Sequence, residues 1–67
     1  MSDAPRYGVR VERSDDGWRA VITGPEGDEA LVRRCETEDE ARLFASTVEQ
    51  HLGWLSEARF REYYRLS

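Results

Sequence analysis

The chain contains no lysine and no asparagine, and isoleucine, cysteine, histidine and methionine occur once each. Each scarcity closes off a class of protein. A single cysteine, Cys35, cannot close an internal bridge, so the fold has no disulfide framework. The thiol reads as a small half-buried hydrophobe in a reducing compartment. The single histidine, His51, has no nucleophile near it in sequence, and its place near a helix end suits a cation beside the C-terminal dipole. No apolar run approaches the ~18 residues of a membrane span, and no basic-then-apolar leader opens the chain. The expectation is a cytoplasmic protein that is not an enzyme and carries neither cofactor nor metal. All ten basic residues are arginine, which fits the codon usage of GC-rich coding sequence better than an arginine-specific function.

The 14 acidic and 10 basic residues leave a net charge of −4, spread along the chain: 8 acids and 6 bases up to residue 36, then 6 and 4. There is no acidic tail or basic arm to draw in nucleic acid or a membrane surface. The 67 residues form a single small domain, of a size that buries only ~60% of the surface its unfolded chain exposes.

Residues 1–5 are a polar lead-in expected to fray, and residues 6–35 carry a strand pattern. Tyr7, Val9 and Val11 alternate with Arg6, Arg10 and Glu12, the signature of a half-buried strand. Asp16-Gly17 is a hairpin signal, and as a two-residue loop it pairs Arg13 with Ala20 and Val11 with Ile22. Val9, Val11, Ala20 and Ile22 then share one face, with Trp18 at its rim. Gly24-Pro25-Glu26-Gly27-Asp28 is a loop, and Glu29 to Cys35 a third strand of ambiguous facing. Either Leu31 and Cys35 point inward or Ala30 and Val32 do. The second choice keeps Arg33 out of the centre of the core face and is preferred.

The organising element is a helix over residues 37–55. Thr37 can cap the N–H of Glu40 while Glu40 reaches back to the N–H of Thr37, and Glu38, Asp39 and Glu40 suit the positive end of the dipole. Ala41, Phe44, Ala45, Val48, Leu52 and Leu55 form one apolar stripe. A second short helix is expected over residues 56–66, capped by Ser56; the alternative is one helix running through Gly53 to Arg65. The fold class is α+β: a three-stranded antiparallel sheet with helices on one face, in the order β-β-β-α-α.

No motif for catalysis stands out. Glu38, Asp39 and Glu40 are consecutive, so they point in different directions around a helix, and capping accounts for them without a metal. The clearer feature is aromatic: Trp54, Phe60, Tyr63 and Tyr64 fall within eleven residues. Phe60 suits the core. Trp54, Tyr63 and Tyr64, with Arg59 and Arg65, have the composition enriched at protein interfaces. They point to a non-catalytic protein-binding or self-associating domain, accessory or regulatory in role, whose partner is another protein or a second copy. The alternative uses an outward sheet face bearing Arg10, Arg19 and Arg33, with Arg6 at its edge. With Trp18 in the second strand and Thr37-Glu38-Asp39-Glu40-Ala41 after the third, the stretch from Tyr7 to Leu52 loosely resembles the arm-binding domains of tyrosine integrases. That resemblance implies nucleic-acid binding. Glu12, Asp15, Asp16, Glu26, Asp28 and Glu29 surround the same face and oppose the phosphate contacts such binding needs.

Overall fold

Alternating apolar and charged residues form β1, Gly8–Ser14, which turns through Asp15 and Asp16 into β2, Gly17–Thr23. The computed structural model describes residues 7–66; the expected lead-in at residues 1–5, and Arg6, lie outside the described residues. Val9 lies opposite Ile22, Val11 opposite Ala20, Arg13 opposite Trp18 and Ser14 opposite Gly17. The loop is therefore Asp15-Asp16, and the pairing expected from Asp16-Gly17 is corrected by two residues. A two-residue slip leaves each side chain on its own face, so Val9, Val11, Ala20 and Ile22 still share one side. Gly17 then lies in β2 and not in the loop. Its φ is 151°, and a Cβ there would lie 2.8 Å from the carbonyl oxygen of Cys35. Close approach of the third strand, rather than the turn itself, demands glycine at this position.

The third strand, β3 (Glu29–Cys35), pairs antiparallel with β2, giving the sheet order β1-β2-β3. The ladder shifts register beside Ile22 and Thr23: Leu31 opposes Ile22 while Glu29 opposes Thr23, leaving Ala30 as the extra residue. As a result Ala30 and Leu31 both pack against the core. Val32, opposite Val21, is 42% exposed and turned away from the helices, which corrects the preferred inward facing of Val32. Arg33, opposite Ala20, stands on the helix side. Its guanidinium carbon lies 5.3 Å from the centre of the Phe44 ring, so the charged head stays at the rim while its stem covers apolar surface.

Helix α1 spans Glu38–Trp54, and Thr37 Oγ1 accepts from the N–H of Glu40 at 3.2 Å. Glu40 closes the cap by accepting from the N–H of Glu36 at 2.9 Å, one residue earlier than a standard capping box. Ala41 and Val48 are buried, and Phe44, Leu52 and Leu55 pack around them. The helix runs through Gly53 and ends at Trp54, where Leu55 turns extended and donates its N–H to the His51 carbonyl. A separate α2, Glu57–Tyr64, follows, with Ser56 Oγ accepting from the N–H of Arg59; the chain does not form one long helix. Arg65 closes α2 in the left-handed region, and the N–H of Leu66 bonds to the Arg61 carbonyl, returning Leu66 to the core.

The fold is α+β in the order β-β-β-α-α. Its centre is Ile22 from β2, Val48 from α1 and Phe60 from α2, one residue from each layer that must stay together. Among the described residues no helix is long and apolar enough to cross a membrane.

Candidate functional site

Across β1, β2 and β3 the outer face of the sheet carries a charge network of Arg10, Glu12, Arg19 and Glu29. Arg10 donates from Nε to Glu12 at 2.7 Å and from Nη2 to Glu29 on β3 at 2.7 Å, while Arg19 donates to the other oxygen of Glu12. The bridge from β1 to β3 crosses the central strand over buried Val21, which lies opposite Arg10. Hydrogen bonds from Arg10 and then Arg19 hold the Glu12 carboxyl below its ordinary range. Arg10 and Arg19 thus stand where the sequence places them but are already engaged with carboxylates. Arg33 is absent from this face. Arg34, opposite Arg19, takes its place because the bulge reverses the facing of β3.

A second constellation grows from the turn at Leu55, which folds α2 back along α1. Aromatic rings run from Tyr7 to Phe60 (5.3 Å between centres), Phe60 to Tyr64 (4.9 Å) and Tyr64 to Phe44 (6.2 Å, edge-on). Tyr64 is half-buried, and its hydroxyl lies 2.7 Å from His51 Nδ1. Burial, and then the neighbouring Tyr63, push the Tyr64 phenol above its ordinary value. His51 stands in the last turn of α1, as expected, and is there also a partner of Tyr64. No local pattern announces this pair, since the two residues meet only through the turn between the helices.

Tyr63 points outward. It is 62% exposed, with its ring 4.5 Å from His51. Trp54, three residues beyond His51 on the same helix, is 78% exposed. Trp54, His51 and Tyr63 therefore form one surface across both helices. Arg59 precedes Tyr63 by one helical turn and is exposed, as is Arg65. Of the interface residues expected from the sequence, Trp54, Tyr63, Arg59 and Arg65 lie open to solvent, and Tyr64 is half-buried with its ring edge-on to that of Tyr63.

Between β3 and α2 lies an open groove of about 510 Å³, lined by Leu31, Val32, Arg33, Arg34, Phe44, Tyr63, Tyr64 and Arg65. Past Arg33, Arg34 and Phe44 it continues into a second of about 330 Å³, reaching Cys35, Glu40, Leu43 and Thr47. Three of the four large hydrophobic side chains that stay exposed, Val32, Leu43 and Tyr63, border these two grooves. Arg33, Arg34 and Arg65 enter no ion pair among the described residues, in contrast to Arg10 and Arg19. Sequence reading missed Val32, Arg34 and Leu43 as part of this surface. Leu43 breaks the apolar stripe of α1 and is the one signal that could have found it. No group of three His, Cys, Asp or Glu side chains is placed to hold a metal ion among the described residues.

Comparison with known protein families, with curated proteins and with solved structures gives no match for this chain.

Proposed function

We propose that this chain is a small non-catalytic domain that binds protein in the cytoplasm, in an accessory or regulatory role, through the aromatic surface where α1 meets α2. The observation that carries the reading is the exposure of Trp54 at 78% and Tyr63 at 62% on one surface, in a chain whose other aromatic side chains are at least half-buried. A large aromatic side chain can bury ~150–250 Å², and a stable interface needs ~800 Å² from each partner. Trp54 and Tyr63 can supply about half of that share, with Arg59 and Arg65 on its rim. Partners include a second copy of the chain. Nucleic-acid binding through the outer sheet face has weaker support, because Arg10 and Arg19 already serve Glu12 and Glu29.

Photo-crosslinking in the native cells tests this. A crosslinker carried at position 54 or 63 should give covalent adducts with protein, while the same group at exposed Arg13 on β1 should give none. The adduct mass separates a second copy from a different partner. Adducts from position 13 alone, or equal yields from all three positions, would overturn the proposal.

A further inference from the structure

The geometry points to an occupant for the groove beside β3: an extended, carboxylate-rich peptide segment of a partner protein, added to the open edge of the sheet as a fourth strand. The inference rests on the protein-binding reading and names the chemistry of the partner.

The edge is available. In the order β1-β2-β3 the third strand has, among the described residues, a neighbour on one side only, and α1 lies mainly over β1 and β2. The seven residues of β3 offer a backbone edge of ~23 Å at ~3.3 Å per residue, long enough for about six residues of a partner strand. Main-chain hydrogen bonds would give such a strand affinity, and the side chains around the edge would give it specificity. Both of its faces would meet something useful. On the helix side, alternate side chains would run past Arg33, Phe44 and Tyr63; on the outer side they would run past Val32 and Arg34.

Charge selects the occupant. The chain is acidic overall, at −4, yet Arg33, on the helix side of β3, Arg34, on its outer side, and Arg65 all line this groove. They enter no ion pair among the described residues, and Glu40 is the acidic residue of the adjoining groove. Arg10 on β1 and Arg19 on β2, by contrast, are bridged to Glu12 and Glu29. Carboxylates brought by a peptide would complete on β3 the pairing that the chain already makes on β1. A second copy is the poorer occupant. Two β3 edges laid together would bring four guanidiniums onto one short ribbon, and like charges across a strand pair are destabilising. Charged side chains on an edge strand are also how sheets avoid pairing with themselves.

The test is fluorescence anisotropy with a labelled eight-residue peptide that alternates valine and glutamate. Controls are the same peptide with lysine in place of glutamate, and two peptides N-methylated on alternate backbone amides, one for each edge. The valine–glutamate peptide should bind, and the lysine peptide should bind roughly tenfold more weakly or less. One of the two N-methylated peptides should lose binding, because methylation removes the donors that extend the ladder. Arg33→Glu with Arg34→Glu should reverse the preference towards the lysine peptide while leaving the circular dichroism spectrum unchanged. Equal binding of both charge types, or full binding by both N-methylated peptides, overturns the inference. So does displacement of the peptide by a single-stranded oligonucleotide of equal charge at lower concentration, which would assign the arginines to phosphate. Loss of peptide binding with crosslinks at positions 54 and 63 intact would sink this inference alone. Loss of both would remove the protein-binding reading as well.

Discussion

The two edges of the sheet are built from the same kinds of residue and finished in opposite ways. At β1, the helix α1 sets Arg42, Ser46 and Glu49 beside Val9 and Val11, and Arg10 is bridged to carboxylates on either side. At β3, the helices stand back, Val32 is left exposed, and Arg33 and Arg34 enter no ion pair among the described residues, the Arg33 guanidinium lying over the Phe44 ring instead. An arginine whose guanidinium already meets two carboxylates has little left to offer a partner. One held at the rim of an open groove keeps its donors free. The contrast separates Arg10 and Arg19, which hold the sheet together, from Arg33 and Arg34, which enter no ion pair among the described residues.

The most severe way to break the contrast is to remove the joint that keeps α2 beside β3. Phe60 is the one buried residue of α2 and touches both Tyr7 and Tyr64. Phe60→Ala should cost ~3–5 kcal/mol, a large part of what a domain of this size has. Thermal melts should show it, with the α2 wall of the groove lost first. Thr37→Ala acts on the helix that both edges share. It should lower stability by about 1 kcal/mol, read as a lower melting temperature, without altering which edge is open.

Smaller changes sharpen the comparison. Tyr64→Phe removes the bond to His51 and should cost ~0.5–1.5 kcal/mol near neutral pH. The Tyr64 phenol is raised in the folded state, so its contribution is complete below the ordinary value of 10.0 and is lost as pH rises through the higher folded value. Melts at alkaline pH should therefore fall in the parent and flatten in Tyr64→Phe. Glu12→Gln, on the closed edge, should have the smallest effect and the opposite dependence. Glu12 is depressed from 4.5, so its contribution is present above that value and is lost as pH falls through the lower folded one. The substitution should flatten the acid side of the stability profile, and salt should shrink the difference.

Much of this could be read from the residues. The three strands, the cap at Thr37, the stripe on α1 and the separate α2 follow from local periodicity and capping chemistry, because each depends on residues within a few positions. The register of the first hairpin does not, since an alternating pattern is unchanged by a slip of two. The observed loop is Asp15-Asp16, with Gly17 already paired opposite Ser14 and close to the backbone of Cys35 on β3. The facing of β3 was equally hidden. The sequence Ala30-Leu31-Val32-Arg33-Arg34 admits both alternations, and the extra residue beside Ile22 and Thr23 decides between them. The exposed aromatics were legible as a cluster but not as a geometry. That Tyr64 turns in towards His51 while Tyr63 and Trp54 turn out depends on how α2 folds back at Leu55.

The measurement that tests the working face most directly is an amide chemical-shift map of the labelled protein as the valine–glutamate peptide is added. The account predicts that the largest shifts fall on Leu31, Val32, Arg33 and Arg34, with Leu43, Tyr63 and Arg65 following, while Arg10, Glu12 and Arg19 stay near their starting positions. Shifts concentrated on Arg10, Glu12 and Arg19 with β3 unmoved would contradict it.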